Sequence, residues 1–122
     1  MFISVIIPTY NRSISTNQAV FSVIKAFEQV KEINGEIIIV DDGSYPPFEL
    51  IKDFNFKNIS IIQHQKNSGP AEARNTGIKK SKGDWLAFLD SDDIWYPNKL
   101  KSQIDLINKN NITKDDYVAI TC

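Results

Sequence analysis

The sequence predicts an α/β fold, a three-layer α/β/α sandwich in which a mainly parallel sheet lies between helices. Short apolar runs of strand length alternate along the 122 residues with segments in which apolar side chains recur at helical spacing. This alternation is typical of right-handed β-α-β crossovers, which place helices on both faces of one sheet. No linker, internal repeat or low-complexity tract interrupts the pattern, so we expect a single domain over residues 1–122.

Several apolar segments have the composition of strands. The first is rich in β-branched residues and ends at Pro8, as a strand buried on both faces would. The third is shorter and more polar, which indicates a position near an edge of the sheet. The fourth is apolar throughout after Asp84 and predicts an interior strand. The predicted strands are residues 2–8, 36–40, 59–64, 84–89 and 117–121.

Helices are predicted between these strands. Apolar side chains recur at helical spacing from Thr16 to Glu32, and the dipeptide after Ile33 is a stop signal. Two prolines precede a short helix near Phe48, and Pro70 has the residue type favoured in a first helical turn. The predicted helices are residues 16–32, 48–54, 71–80 and 97–108.

The overall composition excludes several classes of protein. A formal net charge of −1 and a pI of about 5.8 give no basic field for nucleic acid. The apolar runs are too short to span a bilayer, and no basic leader precedes the first one. The single cysteine, Cys122, cannot form an internal disulfide, so we expect a cytoplasmic protein. Peripheral contact with the inner face of a membrane through other segments stays open.

Three polar segments directly follow predicted strands, and these segments are residues 8–12, 41–44 and 90–93. The carboxyl ends of parallel strands meet at one edge of a sheet, which is where α/β proteins bind their ligands. We therefore expect all three segments to lie along one rim.

The segment 90–93 contains three aspartates, Asp90, Asp92 and Asp93. Carboxylates this close repel one another, and a divalent cation such as Mg²⁺ or Mn²⁺ relieves the repulsion. Such ions commonly complete their coordination with water and substrate phosphates. The alternative is a solvated turn that caps the next helix, which explains one or two of the acids. No glycine triad and no phosphate-binding G-K-[ST] loop occurs, so a metal is the obvious means of holding a phosphate.

Tyr10, Asp41 and Asp42 fall on the same predicted rim. A tyrosine ring offers a flat face on which a nucleobase can stack, and a carboxylate can accept a hydrogen bond from a base N–H. Structural alternatives exist for each, because Asp-Gly is a common turn dipeptide and a loop tyrosine can be simply half-buried.

Four blocks, taken in their order and spacing, resemble those of the family 2 glycosyltransferases. They are Pro8-Thr9-Tyr10-Asn11-Arg12, Val40-Asp41-Asp42-Gly43-Ser44, the segment from Asn67 to Gly77 that contains Ala73-Arg74-Asn75, and the segment from Gly83 to Asp93. The resemblance covers nearly the whole chain. It implies a GT-A fold and the metal-dependent transfer of a sugar from a nucleotide diphosphate sugar, usually UDP-linked, to a saccharide or other glycan acceptor.

The resemblance also implies roles for single residues. Asp90-Ser91-Asp92 matches the D-x-D motif of the family, with Asp92 as the direct ligand of Mn or Mg and Asp90 acting at the ribose or through water. Asp93 matches an acid that orients the loop. The remaining donor-binding residues implied by the resemblance are Pro8, Thr9, Tyr10, Arg12, Asp41, Asp42, Asn67, Gly69 and Arg74. Thr9 and Tyr10 would flank the base, Asp42 or Asp41 would accept from it, and Asn67 and Gly69 would lie near it.

Two of these assignments have alternatives. Arg74 would be a counter-charge to the acids, although a structural ion pair explains an arginine there equally well. Inverting members of the family take their general base from the later half of the catalytic domain, and no residue up to Cys122 matches it. We therefore expect a donor-binding half without its base.

Other classes of function are less well matched. A binding module that kept the nucleotide rim without chemistry is one alternative. A Mg-dependent phosphatase or phosphoacceptor domain is another, but such domains place their key aspartate after the first strand, where this chain has Pro8-Thr9-Tyr10.

Overall fold

The structure, a computed structural model, describes residues 1–52 and 54–116 and contains four strands and three helices in that part of the chain. In chain order these are β1 (Phe2–Thr9), α1 (Ser13–Glu28), β2 (Asn34–Asp41), β3 (Ile59–Gln63), α2 (Pro70–Lys80), β4 (Trp85–Phe88) and α3 (Lys99–Lys109). All neighbouring strands pair in parallel, in the order β3-β2-β1-β4. The predicted α/β fold with a mainly parallel sheet is confirmed.

The sheet separates two apolar layers, because side chains alternate between its faces. On one face Val5 and Ile37 pack with buried side chains of α1 and α3 in the larger core. On the other face Ile38 and Val40 pack with Ala73 of α2. The continuous apolar runs of β1 and β2 reflect this burial on both sides, as the sequence predicted.

Helix α2 lies very close to the sheet at Gly77. A Cβ atom at this position would be 2.5 Å from Cγ2 of Ile6 in β1, so only glycine fits without displacing a core side chain. This close approach brings the beginning of α2, with Pro70 in its first turn as predicted, to the carboxyl edge of β1 and β2.

The predicted helix at residues 48–54 is wrong, since residues 48–52 and 54 are not helical. Side chains of Asp41 and Asn17 form hydrogen bonds with backbone groups that would pair with one another in a helix. The N–H of Phe48 donates to Oδ2 of Asp41 at 2.8 Å, and the N–H of Ile51 donates to Oδ1 of Asn17 at 2.9 Å. Nδ2 of Asn17 in turn donates to the carbonyl of Glu49 at 3.1 Å.

Helix α1 ends at Glu28, four residues before the predicted boundary at Glu32. Tighter turns follow the helix. The N–H of Val30 donates to the carbonyl of Phe27 at 3.0 Å, and the N–H of Ile33 donates to the carbonyl of Val30 at 2.8 Å. These i to i−3 bonds form turns and lead directly into β2.

The strand predicted at residues 84–89 forms as β4, but its interior position was wrong for the part of the chain that the structure describes. There β4 is at one end of the sheet, and the side chains of Leu86 and Phe88 are 41% and 45% exposed. β3 is at the other end, as its polar composition predicted. The strand predicted at residues 117–121 lies outside the described residues.

Candidate functional site

The carboxyl ends of β1 and β2 and the loop after β4 surround an open cavity of about 350 Å³. All but two of the residues predicted to bind the donor or the metal line it, together with Pro70. The lining residues are Pro8, Thr9, Tyr10, Arg12, Asp42, Asn67, Pro70, Arg74, Asp90, Ser91 and Asp92. The two predicted residues that do not line the cavity are Asp41 and Gly69. Four segments far apart in sequence, residues 8–12, 42, 67–74 and 90–92, therefore meet at one rim.

The loop after β1 holds Tyr10 at the cavity. Asn11 has the left-handed backbone angle φ = 50°, which asparagine tolerates better than most residues. Its N–H donates to Oγ of Ser44 at 2.8 Å, and its Oδ1 accepts from the N–H of Tyr45 at 3.0 Å. The loops that follow β1 and β2 are therefore tied together, and the Tyr10 side chain stays 45% exposed.

Asp41 shapes a loop and does not line the cavity. The residue is buried. Its Oδ1 accepts from the N–H of Ser44 at 3.0 Å and its Oδ2 accepts from the N–H of Phe48 at 2.8 Å. Of the two adjacent aspartates, the structure leaves only Asp42 in a position to meet a ligand in the cavity.

The carboxylate of Asp42 lines the cavity and is held by three donors. Oδ1 lies 2.8 Å from Nδ1 of His64 and accepts from the N–H of Ser68 at 2.9 Å, while Oδ2 accepts from the N–H of Gly69 at 2.8 Å. Burial raises the pKa of Asp42, but these hydrogen bonds outweigh it and hold the pKa below its usual value. Gly69 thus acts through its backbone, as a support for Asp42.

Asp90, Asp92 and Asp93 are exposed after β4, and one carboxylate oxygen of each lies within 4.8 Å of the other two. The N–H of Asp93 donates to the carbonyl of Asp90 at 3.0 Å, and this turn brings the three side chains together. Oxygens that share one Mg²⁺ at about 2.1 Å lie at most about 4.2 Å apart. The cluster therefore fits a divalent cation after a small side-chain adjustment.

Two arginines balance the charge of this cluster. Nη1 of Arg12 lies 3.0 Å from Oδ2 of Asp92, and Nη2 of Arg74 lies 3.2 Å from Oδ1 of Asp90. All four side chains are between 39% and 60% exposed. Such solvent-exposed pairs contribute little to stability, roughly 0–1 kcal/mol each, so a phosphate or a cation can exchange with them at low cost.

Sequence reasoning missed His64 and Asn11 as parts of this site. His64 contacts the lining residue Asp42 directly, and Asn11 ties the loop that carries Tyr10 to the loop after β2. In the structure Asp41 pairs with Gln63 in the parallel register of β2 and β3, so the residues that follow them, Asp42 and His64, are neighbours. The apolar pattern of the sequence does not give this register.

Within residues 1–52 and 54–116, no helix has both the length and the apolar character needed to cross a membrane.

Comparison with known proteins shows the family. A sequence model described as "Glycosyl transferase family 2" matches residues 4–119. An "Uncharacterized glycosyltransferase" of Rickettsia bellii is 44% identical over 110 residues, which is 89% of this chain and 15% of that protein. The "UDP-Glc:alpha-D-GlcNAc-diphosphoundecaprenol beta-1,3-glucosyltransferase WfgD" of Escherichia coli is 37% identical over 112 residues, or 91% of this chain and 43% of that protein. The chain thus spans less than half the length of these curated relatives.

Solved structures agree. The crystal structure of S. aureus TarS 1–349 in complex with UDP superposes with a TM-score of 0.73 and 29% sequence identity, over 91% of this chain and 33% of that one. The same TarS fragment has been solved with UDP-GlcNAc. The GT-A architecture implied by the resemblance is confirmed, and the chain belongs to glycosyl transferase family 2.

Proposed function

We propose that this chain is the donor-binding part of a metal-dependent glycosyltransferase that transfers a sugar from a UDP-sugar to a saccharide or other glycan acceptor. The observation that carries the proposal is the convergence of Tyr10, Asp42 and the aspartates after β4 on one cavity. TarS, which shares the fold, has been solved with UDP and with UDP-GlcNAc, and the name of WfgD specifies UDP-Glc.

The base of the nucleotide would lie at the end of the cavity formed by the loops after β1 and β2. Tyr10 is exposed enough to stack on it, and such a contact contributes ~1–3 kcal/mol. Asp42, ionised by its hydrogen bonds, can accept from a base N–H. Asn67, whose Nδ2 donates to the backbone carbonyl of Asp42 at 3.3 Å, lines the same end.

The diphosphate would lie at the other end, against the three aspartates. Asp92 would hold a Mn or Mg ion directly, with Asp90 at the ribose or linked through water. When bound, such an ion neutralises the diphosphate and stabilises the charge that develops as the sugar leaves. The guanidinium groups of Arg12 and Arg74 carry paired donors that match phosphate oxygens, so both can turn from the acids to the diphosphate.

The general base of an inverting transfer is not assigned to any residue described above. In the proposed reaction a carboxylate from another part of the longer protein would take the proton of the acceptor hydroxyl. The residues described here bind and orient the donor, which is the part of catalysis that proximity supplies.

Calorimetric titration of the chain with UDP, in Mn²⁺ and again in EDTA, tests this proposal. We expect heat of binding in Mn²⁺ and at least about tenfold weaker binding in EDTA, because the cation joins the acids to the diphosphate. The Asp92→Asn variant should bind UDP with the same affinity in Mn²⁺ as in EDTA. Asp105→Asn, at an exposed acid of α3 paired with Lys101, is the matched control and should bind as the unmodified chain does. Absence of binding heat in Mn²⁺ would refute the proposal.

A further inference from the structure

His64, the only histidine of the chain, does not line the cavity but contacts Asp42, which does. Its N–H donates to the carbonyl of Asp41 at 2.8 Å and so continues the pairing of β3 with β2. The ring then lies with Nδ1 2.8 Å from Oδ1 of Asp42. The side chains are 18% and 4% exposed, so this contact is shielded from water.

The other ring nitrogen reaches helix α2. Nε2 of His64 lies 2.8 Å from Oγ1 of Thr76, and that hydroxyl also lies 3.0 Å from the carbonyl of Glu72. A hydroxyl has one hydrogen to donate. Thr76 can give it to the carbonyl of Glu72 or to Nε2, so the role of Nε2 depends on the tautomer. Because an ionised carboxylate only accepts, the imidazole donates at Nδ1 in either case.

The carboxylate of Asp42 has a limited number of acceptor directions. Each of its oxygens can accept about two hydrogen bonds. The contacts within the described part of the chain fill Oδ1 with His64 and Ser68, and they place one donor, the N–H of Gly69, on Oδ2. One acceptor direction of Oδ2 is thus left for a ligand, on a side chain that lines the cavity.

We propose that His64 is a positioning residue for nucleotide recognition. Together with the N–H groups of Ser68 and Gly69, the imidazole fixes the rotation of the Asp42 carboxylate, so that the remaining acceptor direction of Oδ2 is turned toward the base. This inference rests on the proposed function and adds to it the residue that sets the geometry of base binding.

Two substitutions of His64 distinguish the contact at Nδ1 from the contact at Nε2. His64→Asn retains an amide N–H close to the position of Nδ1 and can still donate to Asp42. His64→Gln carries its amide further out, toward Thr76, and cannot replace the contact at Oδ1. We expect the Asn variant to bind UDP in Mg²⁺ within about twofold of the unmodified chain and the Gln variant to bind about tenfold more weakly.

Thr76→Val serves as the control for the far side of the ring. It removes the contact at Nε2 and leaves that at Nδ1, so it should weaken binding of UDP by less than about threefold. Circular dichroism and urea unfolding of each variant establish that it is folded before its affinity is compared.

Nuclear magnetic resonance gives a readout that does not depend on the nucleotide. In the unmodified chain we expect a hydrogen on Nδ1 of His64, and amide resonances of Ser68 and Gly69 that exchange slowly with solvent. The Asn variant should keep these amide properties and the Gln variant should lose them. A ring without hydrogen at Nδ1 overturns the proposal even if no Gln variant can be folded.

The outcomes distinguish the two proposals. If the unmodified chain binds UDP and His64→Gln binds it equally well, or if His64→Asn is as weak as His64→Gln, the role of His64 is overturned and the proposed function stands. If the unmodified chain fails to bind UDP although the resonances behave as expected, the proposed function falls and the base-binding role falls with it.

Discussion

Asp41 and Asp42 are neighbours in the sequence, yet their carboxylates serve opposite sides of the sheet. Side chains at the end of a strand still alternate between its faces. Asp41 therefore reaches Phe48 on the side of the larger core, whereas Asp42 reaches the ring of His64, which is itself linked to α2. The same residue type thus organises a buried loop in one position and faces the cavity in the next.

Tyr10 tests the proposed base-binding end of the cavity. Tyr10→Ala should weaken binding of UDP by ~1–3 kcal/mol, because it removes the face on which the base stacks. Tyr10→Phe retains that face and should bind nearly as well as the unmodified chain. Both affinities can be measured by calorimetric titration.

The control for this prediction is Tyr45→Ala. Tyr45 is 92% exposed and does not line the cavity, so its removal should leave the affinity for UDP unchanged. Equal losses at Tyr10 and Tyr45 would mean that the effect is not specific to the cavity.

Asp42 gives a pH dependence whose sign follows from its hydrogen bonds. Its pKa is lower in the folded chain than the value of about 3.9 expected when unfolded. The contribution of Asp42 to stability is therefore fully present above about pH 4 and is lost as pH falls through the folded pKa. Urea unfolding between pH 3 and pH 6 should show this decline, and Asp42→Asn should reduce it. A decline of equal size in the variant would show that other groups cause it.

The cavity residues were predictable from sequence because their strands are. Once the apolar runs are read as parallel strands, the polar residues after them must share one edge, which places Tyr10, Asp42 and Asp92 together. His64 and Asn11 were missed because their roles depend on hydrogen-bond partners from other segments. A single pattern of apolar residues carries no information about such partners.

At the scale of whole elements, the segment after β2 shows where the prediction from sequence fails. The prolines before Phe48 favour a helix start, but tertiary hydrogen bonds from Asp41 and Asn17 determine an irregular path. Local propensity is a weak term, and buried side-chain acceptors with fixed positions override it.

Asn17 is the test of this explanation. The residue is 2% exposed, and its amide bonds to Ser13, Glu49 and Ile51. Asn17→Ala should lower the free energy of unfolding by ~1–3 kcal/mol, because it leaves buried backbone groups unpaired. Gln18→Ala, on the exposed side of α1, should change it by less than ~0.5 kcal/mol in the same urea titration. A loss at Gln18 equal to that at Asn17 would contradict the explanation.

The contact of α2 with β1 predicts a steric coupling. Gly77→Ala places a methyl group 2.5 Å from Cγ2 of Ile6 and should cost ~1–3 kcal/mol of stability. Ile6→Ala removes that atom, so the double variant should lose less than the sum of the two single losses. Urea unfolding of the four proteins closes the cycle, and strict additivity would show that the two residues do not interact.

At the scale of the molecule, the sequence predicted the layers, the parallel sheet and the edge position of β3, but not the position of β4 in the part of the chain that the structure describes. β4 is as apolar as an interior strand, yet within the described residues it ends the sheet and leaves Leu86 and Phe88 partly exposed. An apolar strand indicates burial on both faces but does not say which strands lie beside it. This chain spans only about a third of the TarS fragment it matches. An order of strands therefore cannot be derived from hydrophobicity alone.

Because the cavity joins segments from across the chain, a ligand bound there should stabilise the whole fold. Contacts with the loops after β1, β2 and β4 are made only in the folded state, so binding shifts the unfolding equilibrium by mass action. UDP and Mn²⁺ at about 100 times the dissociation constant should add ~2.7 kcal/mol to the free energy of unfolding, which raises Tm by several degrees. EDTA should reverse most of the rise, and Asp92→Asn should abolish the part that depends on Mn²⁺. A rise in Tm that is the same in EDTA would place the ligand away from the aspartates after β4.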